Sequence, residues 1–437
     1  MTQSTIRATA PTISATASAW PALDVLPRGP KARFYARVTR RIFRTGTHRL
    51  GLTWSEDGSP ADIRVLNPES FFLRVGNQGL IGFGESYMAG DWDADDLGGT
   101  LTVLCTEIAD LVPQWMQRMR AAYVSRPPKH QESSTDNSRS NIAHHYDLSN
   151  DLFSTFLDPT LSYSSAMFDT DAVTHLDCAL PFTRLEAPIA GSPLEEAQAR
   201  KIEAILDAAG VTAGSRVLEI GTGWGELAIR AARRGATIRS ITLSSEQQAL
   251  ALARIAEAGY RDQCEVDLLD YRALASTAST TREQYDAIVS VEMIEAVGFD
   301  YWDSYFEVLD HALAPGGKVA IQAITMPHDR MLATRRTYTW INKYIFPGGF
   351  LPSTEVMDQI TRKHTDLRLT GRTTFGSHYA ETLRQWDAAF TGAHDEVLAL
   401  GFDETFLRMW HFYLEYSRAG FASGYIDVQQ LTFAREA

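Results

Sequence analysis

The segment RVLEI (Arg216–Ile220), the loop Gly221-Thr222-Gly223-Trp224-Gly225 and a helical run from Glu226 to Arg234 follow one another without interruption. A short apolar strand feeding a glycine-rich turn that opens a helix starts a βαβ unit, and nothing else in the chain constrains the fold as much. The pattern then repeats. TIRSITL, CEVDLL, YDAIVSV and KVAIQAIT read as further buried strands. Gly235 stops the first helix, and Ser244 and Ser245, each with a Gln three residues on, offer a capping box for a second that ends before Gly259. A helix from about Asp300 to Ala314 stops at Pro315-Gly316-Gly317, and SGYIDVQQLTFA supplies a last strand after two long helical segments. The fold class is α/β, a Rossmann-like, doubly wound and mostly parallel sheet.

The 437 residues exceed what one compact core accommodates, so a second region is expected. Residues 1–20 read as a disordered tail, since Arg7 is their only charge and no apolar core follows it. Residues 21–124 form an N-terminal α+β domain, 125–141 (SRPPKHQESSTDNSRSN) a polar linker, and 142–437 the α/β domain. Lys31 to Arg49 carries seven Lys/Arg and no acid. On a helical wheel Arg33, Arg37, Arg40, Arg41 and Arg44 fall on one side, and Phe34, Tyr35, Val38 and Ile42 on another. The segment is either a domain helix with solvated charges or a docking surface for anionic lipid. RLGLTW, ADIRVL and SFFLRV then read as short β-like runs, followed by GESYMAGDWDADDL and a helical pattern from Thr100 to Val124.

Glycines at 221, 223 and 225 allow a tight turn and close approach of a ligand. The third comes too early for a dinucleotide fingerprint, and the next strand ends in Thr242-Leu243-Ser244 rather than in an acid that grips a ribose. Glu219 repels a pyrophosphate but suits a cofactor bearing a cationic amino acid and a sulfonium, as S-adenosylmethionine does. A formal charge of 41 − 54 = −13 argues against nucleic acid as a partner. Cys105, Cys178 and Cys264 are too scattered for a disulfide framework or a metal cluster, so a reducing cytosol is the simpler setting. No stretch approaches the roughly 18 apolar residues of a membrane span.

An ordered series of motifs from about Ile142 onward resembles the cyclopropane-fatty-acid synthase family. Its landmarks are HHYDLSNDLF (144–153), LSYSSAMF (161–168), LEIGTGWG, ITLSSEQ (241–247), EMIEAVG (292–298), IFPGGFLPS (345–353), HYAETLRQW (378–386) and GYIDVQQLTF (424–433). GESYMAGDWD is similar to the extra N-terminal domain of the full-length bacterial synthases. The resemblance implies a class I methyltransferase domain with a seven-stranded sheet and S-adenosylmethionine as cofactor. It assigns Tyr163, Ser164, Gly221 and Gly223 to the methionine part, Thr242 and Gln247 to the ribose region, and Asp270 and Tyr271 to the adenine. It also implies methyl attack on an acyl double bond, with a bound bicarbonate taking the proton.

For that bicarbonate the resemblance implies Glu295, Ile324 and Tyr379, while Ser165 and Gln322 stand where the family carries Cys and His. A hydroxyl and an amide do not titrate near neutral pH but still donate hydrogen bonds, so bicarbonate binding stays open, as does direct proton removal by Glu295. The string SVEMIEAVG with VAIQAITMPH resembles an actinobacterial subgroup that builds the methyl branch of tuberculostearic acid. That implies a 10-methylene acyl product saturated by a separate flavin-dependent reductase, with ring formation, a small-molecule methyltransferase and an inactive lipid- or cofactor-binding protein as alternatives. Met326 to Phe350, with four interleaved cations at Arg330, Arg335, Arg336 and Lys343, reads either as a lid with an apolar side lining an acyl channel or as a core helix with solvated charges. Tyr163, Phe168, Trp224 and Tyr338 are candidates to wrap a cation. The expected setting is cytoplasmic, peripheral at the inner face of the cell membrane, on unsaturated phospholipid; a homo-oligomer remains compatible.

Overall fold

The computed structural model describes residues 20–106, 149–170, 172–177, 180–275 and 284–435. The expected tail up to residue 19, the linker 125–141, the helical pattern past Thr106, Cys178 and the HHYDL that opens the first family motif lie outside them.

Pro30 opens helix α1 (Pro30–Arg49), where a missing N–H costs nothing and a fixed φ suits the first turn. All seven of its Lys and Arg residues are exposed. Its inward stripe is Ala32, Ala36, Phe43, Gly46 and Thr47, and not the set that the helical wheel suggests: Phe34 and Tyr35 are 59% and 39% exposed. Gly76 supplies the reason. A Cβ there would lie 2.9 Å from the Tyr35 backbone, so the two backbones touch and leave no room for the Tyr35 ring between them. Phe43 fills the contact, its ring 5.3 Å from Phe71 and 5.5 Å from Trp54.

Strands β1 (Trp54–Ser55) and β2 (Ile63–Val65) form where β-like runs are expected. SFFLRV does not; it lies in helix α2 (Pro68–Gln78). Pro68 at the first turn and Phe71, Phe72 and Val75 at helical spacing outweigh the β propensity of the aromatic pair. Helix α3 (Leu80–Met88), strand β3 (Trp92–Asp93) and helix α4 (Leu97–Thr106) complete the region, with the strands in the order β1-β2-β3.

Among the described residues the main sheet has nine strands: β4 (Ala172–Asp177), β5 (Leu180–Leu185), β6 (Arg216–Ile220), β7 (Thr237–Thr242), β8 (Cys264–Leu268), β9 (Tyr285–Val291), β10 (Leu313–Thr325), β11 (Leu367–Thr374) and β12 (Asp427–Arg435). Their spatial order is β4-β5-β11-β12-β10-β9-β6-β7-β8. β6 to β10 run parallel, and β12 is antiparallel to both β10 and β11. Strands β6 to β12 make the seven expected of a doubly wound methyltransferase sheet, and the hairpin β4–β5 extends it by pairing β5 with β11. β11 is not visible as a strand in the sequence, because Gly371 and five Thr or Arg residues leave it without an apolar alternation past Leu369, and its register with β12 slips between Leu369 and Gly371.

Helices α5 (Leu194–Ala208), α6 (Glu226–Arg233) and α7 (Ser245–Glu257) cover one face over Val217, Ile238, Ala287 and Val289. Helix α8 (Trp302–Ala312) and the helix Thr354–His364 cover the other over Leu218, Ile288, Val319 and Ile321. From β6 the chain runs outward to β7 and β8, then returns to β9 on β6's other side. That reversal opens a crevice beyond the carboxyl ends of β6 and β9, where sheets of this kind take their ligands.

The N-terminal region shares its core with the end of the chain. Helices α9 (Gly376–Gly392) and α10 (Glu404–Ala422) bring Trp386, Phe390, Trp410 and Phe412 into one apolar cluster with Phe71, Tyr87 and Trp92. Arg408 seals the seam, donating to the carbonyls of Tyr87 (2.7 Å) and Trp92 (3.0 Å).

Candidate active site

The loop after β6 turns on glycines at φ 99°, 52° and 88° for Gly221, Gly223 and Gly225. Gly221 and Thr222 donate to the Ile241 carbonyl at 3.0 and 3.2 Å, which ties the loop to β7. Below it, Thr222 Oγ1, Ser240 Oγ and Glu219 Oε2 form a buried chain with spacings of 2.7 and 2.6 Å. Burial pushes the Glu219 carboxyl up to about 8. Sequence reasoning aims Glu219 at a cofactor's cationic end; here its carboxyl is bonded beneath the loop. A Cβ on Gly225 would press on Ala251 at 3.1 Å, whereas one on Gly223 meets nothing within 4 Å. The loop is therefore packed on its Gly225 side and open at Gly223. A flat cofactor fits against such a backbone.

Other expected contacts ring this opening. Thr242 Oγ1 donates to Gln247 Oε1 at 2.9 Å, so the Gln side chain serves the end of β7, while Ser244 caps α7 by accepting from the Gln247 N–H. Asp270 pairs with Arg272 at 2.6 Å, and Tyr271 stands edge-on to Tyr305. Trp224 Nε1 donates to Asn150 at 2.8 Å, which lays the end of the first family motif over the loop. Tyr163 stacks on Trp386 at 5.3 Å, its hydroxyl 2.7 Å from that of Tyr413. Ser164 accepts from Lys201 Nζ at 2.6 Å, and burial draws the pKa of this fully enclosed lysine down to about 8.

Across the crevice, at the end of β9, the residues implied for bicarbonate come together, but they converge on a residue that the sequence reading passed over. Glu292 Oε1 accepts from the Ser165 N–H and from Gln322 Nε2, both at 2.9 Å, and its Oε2 accepts from the Tyr379 hydroxyl at 2.7 Å. Gln322 is itself oriented by Gln430 at 3.1 Å. Glu295 Oε1 accepts from the Ile324 N–H at 2.5 Å, while its Oε2 is buried without a protein partner among the described residues. Both carboxyls lie deep in the protein, and the Cβ that Gly221 lacks would lie within 4 Å of Met293 next to them, so the pair stands beside the glycine loop.

Their environments push the two acids apart. Burial raises both, and Glu295, with the Glu292 charge beside it, goes up to about 8. Glu292 is pulled back by Tyr379, Gln322, Ser165 and the nearby Lys201. Three donors end on Glu292 and suit a carboxylate, whereas Glu295, pushed up to about 8, is the neutral acid of the pair at pH 7. Burial holds the Tyr379 hydroxyl well above its ordinary range, so it remains a donor. Glu292 and Leu161 are the two non-glycine residues with positive φ among the described residues, at 49° and 52°. Such strain collects where a site needs it, and here both cases sit in the family motifs.

A profile of the mycolic acid cyclopropane synthetase family matches residues 133–431. The chain belongs to this family. Its members are S-adenosylmethionine-dependent methyltransferases. A tuberculostearic acid methyltransferase of Mycobacterium tuberculosis is 50% identical over 426 residues, covering 95% of each chain. The cyclopropane-fatty-acyl-phospholipid synthase of Escherichia coli K12 is 34% identical over 382 residues, or 86% of this chain and 88% of that one. A mycolic acid cyclopropane synthase solved with SAH and CTAB superposes with a TM-score of 0.57 at 28% identity, over 68% of this chain and 97% of that one.

Within this family frame the expected lid, Met326–Phe350, holds two short helices, His328–Thr334 and Trp340–Tyr344. Its cations are not all free for head groups. Lys343 is paired with the buried carboxylate of Glu85 in α3, and Arg330 and Arg335 lie over the rings of Tyr425 and Phe299. Phe168 packs in the core against His378 rather than lining the crevice. Two buried charges escaped the sequence reading, each with a signal. Glu292 ends the apolar run YDAIVSV, and Lys201 lies on the buried stripe Ala197–Lys201–Ile205 of α5. A charge at a position patterned for burial is the anomaly to follow.

Proposed function

We propose that the chain transfers a methyl group from S-adenosylmethionine to the cis double bond of an oleoyl-type acyl chain in membrane phospholipid, leaving a 10-methylene branch. The observation that carries this reading is the pair of buried acids beside the glycine loop, Glu292 holding three donors and Glu295 with one oxygen left without a partner among the described residues. When bound, S-adenosylmethionine supplies an electrophilic methyl group. Tyr163, Ser164, the loop 221–225, Thr242, Gln247, Asp270 and Tyr271 are the residues that would hold it. Methyl addition to one alkene carbon leaves its neighbour cationic, and a fixed anion in a space shielded from water suits such a centre. Proton loss from the new methyl closes a ring, whereas a hydride shift first gives the methylene. The similarity to a tuberculostearic acid methyltransferase favours the second course, followed by saturation by a flavin-dependent reductase as partner.

The substrate's location suits α1. Arg33, Arg37, Arg41 and Arg44 are exposed beside Phe34 and Tyr35, a cationic surface with aromatic rings that fits the anionic inner face of a cell membrane. Arg40 is engaged with Glu56. Each cation near the membrane contributes about 1 kcal/mol. Changing the four to Gln is expected to cut binding to anionic vesicles at low salt more than tenfold, and unchanged binding would return α1 to a solvated surface helix.

Ring formation is the second reading, favoured by the 34% identity to a cyclopropane-fatty-acyl-phospholipid synthase. NMR of the lipid after incubation with S-adenosylmethionine and oleoyl-phospholipid vesicles separates the two. Vinylidene protons establish the methylene product and upfield ring protons the cyclopropane; an unchanged lipid with cofactor bound removes both.

A further inference from the structure

The donors implied for bicarbonate are already occupied. The Ser165 N–H, Gln322 Nε2 and the Tyr379 hydroxyl all end on one side chain, Glu292, at 2.7–2.9 Å. A separate anion placed against the same donors would have to displace that carboxylate, and two anions in one buried site repel strongly. The residues present do not fit bicarbonate. We infer that Glu292 is the resident proton acceptor of this enzyme, a catalytic residue whose carboxylate takes the place of a dissociable base. This rests on the reading of the chain as an acyl-chain methyltransferase.

Three features make the assignment specific. A carboxylate oxygen accepts about two hydrogen bonds. Oε1 already has its two, from Ser165 and Gln322, while Oε2 has one, from Tyr379, and so keeps an acceptor position free. Glu292 as a residue is half-buried, whereas Ser165, Gln322 and Tyr379 around it are buried, so it stands at the edge of the cluster that holds it. The backbone is held at φ 49°, a conformation that a Glu adopts only at a cost, to bring its side chain under the three donors.

The step balances without any further reactant. After methyl addition and hydride shift, a C–H bond of the transferred methyl breaks. Its electron pair becomes the second bond to the cationic carbon, and its proton forms an O–H bond on Glu292 Oε2. If the ring forms instead, the same pair closes a C–C bond and the proton goes to the same oxygen. Glu295 has one oxygen bound to Ile324 and cannot share the three donors, so it stays beside the base as a neutral acid.

The test uses purified full-length protein, ¹³C-labelled bicarbonate and oleoyl-phospholipid vesicles. Wild-type protein is expected to give no bound-bicarbonate signal by NMR titration, and its turnover is expected to change less than twofold when bicarbonate is stripped or restored. Glu292→Gln should lose about 100-fold or more in kcat with SAH affinity kept within threefold. Glu292→Gly, which relieves the backbone strain and vacates the carboxylate's place, should bind labelled bicarbonate and recover activity with added bicarbonate or formate. Bicarbonate bound to, or required by, the wild-type protein overturns the inference, as does full turnover by Glu292→Gln. If no variant and no wild-type sample alters the lipid, the functional reading fails, and the bicarbonate titration still decides who occupies the three donors.

Discussion

The two sides of the crevice are built by different means. At the end of β6 the glycine loop works through its backbone, with positive φ values, a packed side at Gly225 and an open one at Gly223, all within five consecutive residues. At the end of β9 the acid pair works through side chains, and its partners come from residues 165, 322, 324 and 379, in segments far apart in the chain. A site made of local backbone tolerates neighbours changing around it. A site made of converging side chains depends on each of them, and its occupant can change while the donors stay.

That contrast can be broken most directly at Gly223. A Cβ there meets nothing within 4 Å, and its φ of 52° is one that Asp tolerates, so the fold should survive an Asp. The side chain would enter the open space, and SAH binding by calorimetry is expected to weaken at least about 100-fold, some 2.7 kcal/mol. Undiminished binding would move the cofactor away from this loop. Tyr379→Phe attacks the other side. It removes one of three donors to a buried carboxylate, worth about 1.5–3 kcal/mol, and so should lower kcat by roughly 10- to 100-fold with SAH affinity unchanged. A loss of SAH affinity instead would tie the two sides together.

The smallest effect is on stability. Glu219 and Glu295 both titrate near 8 in the fold, against about 4.5 when exposed. Between those values the native state holds protons that the unfolded chain has released, so stability is full below about pH 4.5 and declines toward pH 8. Glu295→Gln keeps the acceptor for the Ile324 N–H and removes the titration. Its Tm should therefore fall less between pH 6 and pH 8 than that of the wild type, and parallel Tm curves would show that Glu295 does not titrate in this range.

The same contrast explains what could be read from the chain alone. The loop, its strand and its helix are contiguous, so periodicity and glycine spacing locate them to within a residue or two. The partners of the acid pair are recognisable as a set only through the family motifs, which point to Ser165, Gln322, Ile324, Tyr379 and Glu295 but leave what lies between them open. Glu292 stands inside EMIEAVG, but spacing does not reveal which way a side chain turns. SFFLRV misled for a related reason: its aromatic pair favours a strand, but Pro68 and the packing against Phe43 decide for a helix. β11 and the hairpin β4–β5 depend on long-range pairing and leave no periodic trace.

The positive φ of Glu292 has a consequence at the level of the gene. The residue least strained at that backbone position is glycine, and every glutamate codon is one base away from a glycine codon. If Glu292 is the resident base, a single transition at this position would replace it with an unstrained glycine beside the same donors, open to an anion from solution. The change runs by one base in reverse as well, so on that inference a need for dissolved carbonate would turn on one nucleotide.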